Sequence, residues 1–267
     1  MSPNAIVVDK LEKYFPPSYP GWRALLQPFA RQTLPAITGI SFSVAPGEAV
    51  ALVGENGAGK STLLRVLATL LVPTRGRAEV CGSDVCNKPA NVRRHIGYDT
   101  GVEEGFYGRL TGRENLRLFA TLNNLSRAQV ARRIEELAHL LALEESLDRQ
   151  ARTYSTGTLQ RLGLSRALIH SPSVLLLDEP TRSLDPLAAA DFRRFLKTEI
   201  VRRGGTTLLF ASHSLAEVED LSDRVMLLDR GEIRIIDTVR NICTATGTVR
   251  LEDAVRILAP PRATPSS

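Results

Sequence analysis

Short apolar segments alternate with segments of helical periodicity along most of the chain. Four apolar runs have the length of buried strands, at 49–53, 174–177, 207–210 and 225–228. A helix is predicted from Lys60, because leucines recur after it at three- and four-residue spacings, and further helices are predicted at 186–203 and 214–221. Strands that alternate with helices are typical of an α/β fold with a parallel sheet.

Three other segments depart from this alternation. Five of the fifteen prolines lie between residues 16 and 35, which predicts an irregular insertion at about 16–36 after a first strand at 5–9. Helical periodicity at 113–123 and 127–143 predicts a helical subdomain at about 99–155 within a domain of residues 1–240. The last residues are rich in proline and serine, so the segment 241–267 is predicted to end in a frayed tail.

Composition and charge narrow the class of protein. With 267 residues, 43% apolar and 24% charged, the chain has ordinary globular values, which argues against wholesale disorder. Its apolar runs fall short of the roughly 18 residues that a transmembrane helix needs, and no signal peptide is evident, so a cytoplasmic location is expected. Cys81, Cys86 and Cys243 are predicted to be small buried hydrophobic residues rather than disulfide partners. The net charge of +5 is a weak indication of nucleic-acid binding, because the arginines are scattered.

Residues 54–61, Gly-Glu-Asn-Gly-Ala-Gly-Lys-Ser, match the phosphate-binding loop pattern in full and lie between a predicted strand and a predicted helix. Glycines let the backbone curl so that successive N–H groups face one anion, and the helix N-terminus adds its positive dipole. Lys60 is predicted to reach the β- and γ-phosphates and Ser61 to ligate Mg²⁺. The predicted nucleotide contacts in this segment are Gly54, Glu55, Asn56, Gly57, Ala58, Gly59, Lys60, Ser61 and Thr62.

Two carboxylates follow the apolar strand at 174–177. In parallel sheets the carboxyl ends of the strands share one edge, so Asp178 and Glu179 are expected beside the phosphate loop. Asp178 is predicted to hold Mg²⁺ through its water shell. Glu179 is predicted to orient and polarise the attacking water, since phosphoryl transfer depends mainly on positioning and charge stabilisation.

These motifs, their order and their separations resemble the ATP-binding cassette (ABC) ATPases. The diagnostic segment is 154–158, Tyr-Ser-Thr-Gly-Thr, which is similar to the family's signature, and its Ser155 is predicted to be a helix N-cap. The resemblance implies a P-loop NTPase core with a mainly parallel sheet, an antiparallel β subdomain, an inserted helical subdomain and a short C-terminal helix. It also implies that ATP lies between two cassettes, with Ser155 and Gly157 completing the site of a second subunit.

Further residues match the family one at a time. Asp185 is similar to the residue that couples the two sites across the dimer, and His213 resembles the switch histidine that contacts the γ-phosphate. The family stacks adenine on an aromatic side chain near the first strand. Phe15 or Tyr14 is the candidate for this contact, and Tyr19 and Trp22 remain possible.

Two departures from the family pattern stand out. Thr156 replaces the first glycine of the signature, but a first-turn helical position does not require a positive φ, so a working signature is expected. In residues 96–107, where the family has a glutamine that touches Mg²⁺ and the attacking water, no glutamine is present. Glu103 is the first candidate to replace it as a metal ligand, with Glu104 and Asp99 as alternatives.

The resemblance implies the ATP-hydrolysing subunit of a transporter, similar to cassettes that serve drug, lipid or polysaccharide exporters. The implied partners are an integral-membrane permease and a second cassette, with a homodimer expected at the inner face of the cell membrane. Exposed Phe106, Tyr107 and Leu110 are expected to form a groove for the permease. The alternatives are a soluble ABC ATPase acting on nucleic acid or ribosomes and a phosphate-loop kinase or GTPase. Against the soluble ABC ATPase, the sequence contains one cassette where translation-type members carry two, and the segment between Lys60 and Ser155 is too short for a long coiled-coil arm. A kinase or GTPase would leave the signature unexplained.

Overall fold

Two sheets organise the protein. The computed structural model describes residues 4–16, 34–101 and 105–260. A six-stranded sheet has the order β10-β9-β3-β8-β7-β6, and a four-stranded antiparallel sheet has the order β2-β1-β4-β5. The strands are β1 Ile6–Phe15, β2 Leu34–Val44, β3 Ala49–Val53, β4 Arg75–Val80, β5 Ser83–Asp84, β6 Ile96–Asp99, β7 Val174–Asp178, β8 Thr207–Ala211, β9 Arg224–Asp229 and β10 Glu232–Asp237.

Helices cover both faces of the larger sheet and form a separate group between β6 and β7. The helices are α1 Lys60–Leu67, α2 Pro89–His95, α3 Gly112–Leu122, α4 Arg127–Leu140, α5 Thr156–Leu168, α6 Pro186–Phe195, α7 Leu215–Leu221, α8 Val239–Thr246 and α9 Leu251–Leu258. A short 3₁₀ turn lies at Ala151–Thr153, and π-helical turns at Leu196–Arg203 continue α6. Among the described residues no helix combines the length and the apolar character needed to span a bilayer.

The central strand β3 is buried on both faces of the sheet. It pairs in parallel with β8 on one side and with β9 on the other. Because successive side chains point to opposite faces, Ala49, Ala51 and Val53 pack into one hydrophobic cluster, and Val50 and Leu52 pack into the other. The loop that follows β3 therefore starts from a fixed position at the carboxyl edge of the sheet.

The predicted strands and helices are present, and several extend beyond the predicted bounds. Strand β1 continues to Phe15, and residues 34–36 of the predicted proline-rich insertion belong to β2. Residues 17–33 of that insertion lie outside the described residues. Asp99, where the helical subdomain was predicted to begin, is the last residue of β6. The helices α3 and α4 of that subdomain begin with capping boxes, Thr111 with Glu114 and Ser126 with Gln129.

The prediction that the three cysteines are buried is wrong. Cys81 and Cys243 are half-buried and Cys86 is exposed, and all three are free thiols. Cys81 has a φ of 47° in the tight turn between β4 and β5, and the Cys86 amide donates to Asp84 Oδ1 at 2.9 Å in the turn after β5. Turns lie at the surface because their backbone groups need partners or water.

Candidate nucleotide site

The loop between β3 and α1 depends on two glycines that no other residue can replace without strain. Gly54 has a φ of 155°, and a Cβ there would lie 2.2 Å from the Leu228 carbonyl oxygen. Gly59 has a φ of 107°, and its Cβ would lie 2.4 Å from the Ala36 carbonyl oxygen. The loop therefore curls tightly between β9 and β2, which places its amides at the N-terminus of α1.

Lys60 is the first residue of α1 and is buried. Its ammonium donates to the carbonyl oxygens of Gly54 at 2.6 Å and Glu55 at 3.1 Å. Burial lowers the pKa of Lys60, and the charges of Glu179 and Asp178 oppose this shift. The sheet edge thus brings one cation and two carboxylates close enough to influence one another.

Two acidic residues end strand β7. Asp178 is its last residue and is buried, and Glu179 follows with a φ of 58°, in the left-handed region that non-glycine residues seldom occupy. The Glu179 amide donates to the Ala211 carbonyl oxygen of β8 at 2.9 Å, which holds this turn against the sheet. Backbone strain of this kind is typical of functional positions, where the surrounding structure imposes it.

His213 contacts Glu179 from the neighbouring strand end. Its Nε2 lies 3.1 Å from Glu179 Oε1, and the imidazole is half exposed to the cavity. Ser212, the residue before His213, is buried, and its hydroxyl donates a hydrogen bond to Glu217 Oε2 of α7 at 2.5 Å. Burial raises the pKa of Glu217, against hydrogen bonds from Ser212 and Thr181. The sequence analysis missed Glu217. Its place beside Val218 and Leu221, the apolar residues that the short helix buries, could have indicated that it is buried too.

A cavity of about 1150 Å³ brings most of the predicted residues together. The predicted residues that line it are Phe15, Asn56, Gly57, Ala58, Gly59, Lys60, Ser61, Thr62, Asp178, Glu179 and His213. Gly54 and Glu55, the first two residues of the loop, do not line it. Nine further described residues line it that were not predicted, namely Pro16, Leu34, Pro35, Ala36, Arg65, Thr100, Gly101, Arg182 and Ser183. Arg65, Arg182 and Ser183 lie within four residues of predicted site residues, whereas Thr100 and Gly101 lie far from the phosphate loop and from Glu179 in sequence.

A second cavity, of about 790 Å³, contains the predicted signature. Ser155 caps α5 as predicted, accepting from the Thr158 amide at 3.2 Å, and Ser155 and Gly157 line this cavity. Asp185 lines it as well and caps α6 through the amides of Leu187 and Ala188, at 3.1 and 3.0 Å. Within one chain, therefore, these three residues line a different cavity from Lys60, and Ser183 is the only described residue that lines both.

The structure excludes one of the three candidates for the missing glutamine. Glu103 and Glu104 lie outside the described residues. The alternative that Asp99 replaces the glutamine is wrong. Its buried carboxylate accepts a hydrogen bond from Arg166 of α5 at 2.9 Å, and Asp99 does not line the larger cavity. Gly101 lines that cavity instead, and a Cβ there would lie 2.7 Å from the Glu179 carbonyl oxygen.

The predicted aromatic residues have different surroundings. Phe15 lines the larger cavity, whereas Tyr14 does not, and Tyr19 and Trp22 lie outside the described residues. Phe106 and Leu110 are half-buried rather than exposed, which corrects the expectation for the permease groove. Phe106 packs edge-on against Phe119 with ring centroids 5.9 Å apart, so its ring packs within the helical layer. Tyr107 is 59% exposed.

Comparisons with known proteins give one consistent result. The family model described as ABC transporter matches residues 37–182. The ABC transporter ATP-binding protein NatA of Bacillus subtilis is 38% identical over 203 residues, covering 76% of this chain and 82% of NatA. The daunorubicin resistance ATP-binding protein DrrA3 of Streptomyces coeruleorubidus is 38% identical over 221 residues, covering 83% of this chain and 69% of DrrA3.

Solved structures have the same fold. An ATP binding subunit of an ABC transporter superposes with a TM-score of 0.77 at 28% identity, covering 95% of this chain and 99% of that one. The cassette MJ0796, in a dimer bound to ADP and Pi, has a TM-score of 0.75 at 22% identity, covering 88% of this chain and 99% of that one. The predicted α/β fold is confirmed.

Proposed function

The chain belongs to the ABC transporter family as an ATP-hydrolysing cassette, and on this premise we propose that two copies close around two ATP molecules to drive a separate membrane permease. The observation that carries the proposal is the division of the site between two cavities. Lys60 and Glu179 line one, whereas Ser155 and Gly157 line the other. A second copy is the simplest source of the signature residues for each nucleotide.

The larger cavity has the chemistry that ATP requires. The loop amides and the Lys60 ammonium neutralise phosphate charge, and Phe15 offers a ring for the base. The Ser61 hydroxyl and the Asp178 carboxylate line the same cavity, and an oxygen donor set with one or two protein ligands suits Mg²⁺. Bound Mg²⁺ would neutralise charge that develops on the β- and γ-phosphates.

Glu179 and His213 are placed to act on the attacking water. The Glu179 carboxylate would accept a proton from that water as its oxygen bonds to the γ-phosphorus and the bond to the bridging oxygen breaks. His213 Nε2, 3.1 Å from Glu179 Oε1, would keep the carboxylate oriented and contact the γ-phosphate. Lys60 would hold the phosphates in line for this step.

The direction of transport is proposed to be export. Two relatives named for daunorubicin resistance and for bacitracin transport, DrrA3 and BcrA, are 38% and 34% identical to this chain. Export of an antibiotic or a similar amphipathic compound fits these names. The permease would hold the cassette at the inner face of the membrane.

Co-purification tests this proposal. The full chain is tagged in its native cells, extracted with a mild detergent, and its partners are identified by mass spectrometry. We expect a polytopic membrane protein, together with ATPase activity in the purified complex. Recovery of ribosomes or nucleic-acid enzymes without a membrane partner would favour the soluble alternative. A control with Glu219→Gln, an exposed residue of α7, should recover the same partner.

A further inference from the structure

An ion pair between a buried carboxylate and a partly buried guanidinium connects the edge of the larger cavity to the helix that carries the signature. Asp99 ends strand β6, and its Oδ1 accepts from Arg166 of α5 at 2.9 Å. The side chains are 4% and 19% exposed. The next two residues, Thr100 and Gly101, line the larger cavity, whereas the start of α5 lines the smaller one.

One face of α5 is shaped to receive the carboxylate. Gln160 Nε2 lies 3.5 Å from Asp99 Oδ2, and Gly163 leaves room for the carboxylate, since a Cβ there would be 3.0 Å from Oδ1. Gln160, Gly163 and Arg166 follow one another at three-residue spacing, which places them along one side of the helix. Three positions of α5 therefore adapt to one aspartate.

Arg166 extends this contact into the helical layer. Its guanidinium lies 4.8 Å from the ring centroid of Phe106 and 5.4 Å from that of Phe119, a residue of α3. Cations are attracted to aromatic faces at these distances. The same guanidinium thus contacts the end of β6 and the aromatic pair beside α3.

Stability alone does not account for the pair. An apolar residue facing α5 would pack without the cost of burying the carboxylate and most of the guanidinium, so a largely buried ion pair is weak evidence for stabilisation. Its directional hydrogen bond does fix the position of the strand end relative to the helix. The position of the strand end matters because Gly101 packs against the backbone of Asp178 and Glu179, and a glycine has no side chain that could fix it there.

We propose that Asp99 and Arg166 are a positioning pair that fixes the Thr100–Gly101 edge of the nucleotide cavity relative to the signature helix and so sets the rate of ATP hydrolysis. The inference rests on the proposed function. Both side chains act through their neighbours, because the carboxylate and the guanidinium meet behind the cavity wall. The phosphate loop is separate from the pair, so nucleotide binding should depend on it little.

The test is a double-mutant cycle in the full chain with Asp99→Ala, Arg166→Ala and the combination. We expect each single variant to lower kcat about tenfold or more, as small displacements of reacting groups do, with KM for ATP within about twofold of the unmodified protein. The double variant should be no slower than Arg166→Ala alone, because both substitutions remove one contact. Rates are normalised to sites counted by calorimetric binding of a non-hydrolysable ATP analogue, so that loss of folded protein does not count as loss of rate.

Two further variants make the result decisive. Asp99→Asn keeps the size and an acceptor oxygen, and should fold and turn over at a rate between those of Asp99→Ala and the unmodified protein. Asp148→Asn removes a charge from the Arg113 ion pair in the helical layer, outside both cavities, and should leave kcat unchanged. Native kcat per site in Asp99→Asn and both alanine variants, or effects that multiply in the double variant, would overturn the inference. Absence of hydrolysis in the unmodified protein would instead contradict the proposed function.

Discussion

Replacing Glu179 by glutamine separates ATP binding from hydrolysis. The substitution keeps the shape of the side chain and exchanges one carboxylate oxygen for an amide group that accepts no proton from water. Its backbone bond to Ala211 is unchanged, because the Glu179 amide forms it. The side chain still reaches His213 Nε2, which lies 3.1 Å from Oε1 in the structure. The perturbation is therefore confined to proton transfer and charge.

The expected loss follows from the role of a positioned base. General-base catalysis contributes about 10²- to 10⁴-fold, which corresponds to about 2.7–5.4 kcal/mol of barrier at about 1.36 kcal/mol per tenfold in rate. Lys60 loses one of the two charges that support its ammonium form, but Asp178 remains. Removal of a negative charge beside the γ-phosphate also reduces repulsion, so ATP affinity should be equal or higher.

Two assays measure these outcomes. Phosphate release at saturating Mg-ATP gives kcat, and size-exclusion chromatography with ATP gives the fraction of dimer, which we expect to rise as hydrolysis stops. The matched control is Glu219→Gln, which makes the same chemical change on the exposed side of α7 and should leave turnover unchanged. Turnover within tenfold of the unmodified protein would refute the general-base role of Glu179, and loss of ATP binding would show that the side chain acts mainly in binding.

Lys60→Ala should weaken binding of Mg-ATP by about tenfold or more, because hydrogen bonds from charged groups contribute about 1.5–3 kcal/mol, and unchanged calorimetric affinity would contradict its role. Gly101→Ala should lower both the melting temperature and kcat, because φ is 63° and the added Cβ would lie 2.7 Å from the Glu179 carbonyl oxygen; native values of both would argue against this packing. Burial raises the pKa of Glu217 above its usual 4.5, so the contribution of its protonated form to stability is complete below that value and is lost as pH rises through the folded pKa. Glu217→Gln should remove this pH dependence, which urea unfolding at a series of pH values measures. Parallel stability curves for the variant and the unmodified protein would contradict the assignment. Ser155→Ala should cost about 1 kcal/mol through the lost cap of α5, and an unchanged free energy of unfolding would show that the cap contributes nothing.

The candidate site was predictable where its residues are contiguous in sequence. The loop at 54–61 carries its own conformational requirement, because Gly54 and Gly59 have φ values that favour glycine. Asp178 and Glu179 follow a run of apolar residues whose burial fixes the strand end. Ser155 precedes a helix whose free amides need a cap. The family resemblance, now confirmed, rested on these local features.

Several predictions on the site remain predictions. The signature residues and Asp185 line a cavity other than that of Lys60, and their part in a shared site depends on a second copy. The role of Glu103 as a metal ligand depends on residues outside those described. Phe15 lines the nucleotide cavity, and its stacking on adenine remains to be tested.

The sequence by itself determined the central strands β3, β7, β8 and β9 and the helices between them, the phosphate loop, the acidic strand end and the family, because each of these depends on neighbours within a few residues. Only the tertiary structure decided that Asp99 pairs with Arg166 of α5, that Glu217 is buried against Ser212, and that Gly101 packs against Glu179. Each of these contacts joins segments that are separate in the chain or depends on which face a helix buries. Such contacts are set by the packing of the sheet and its helices, which no local pattern of residues specifies.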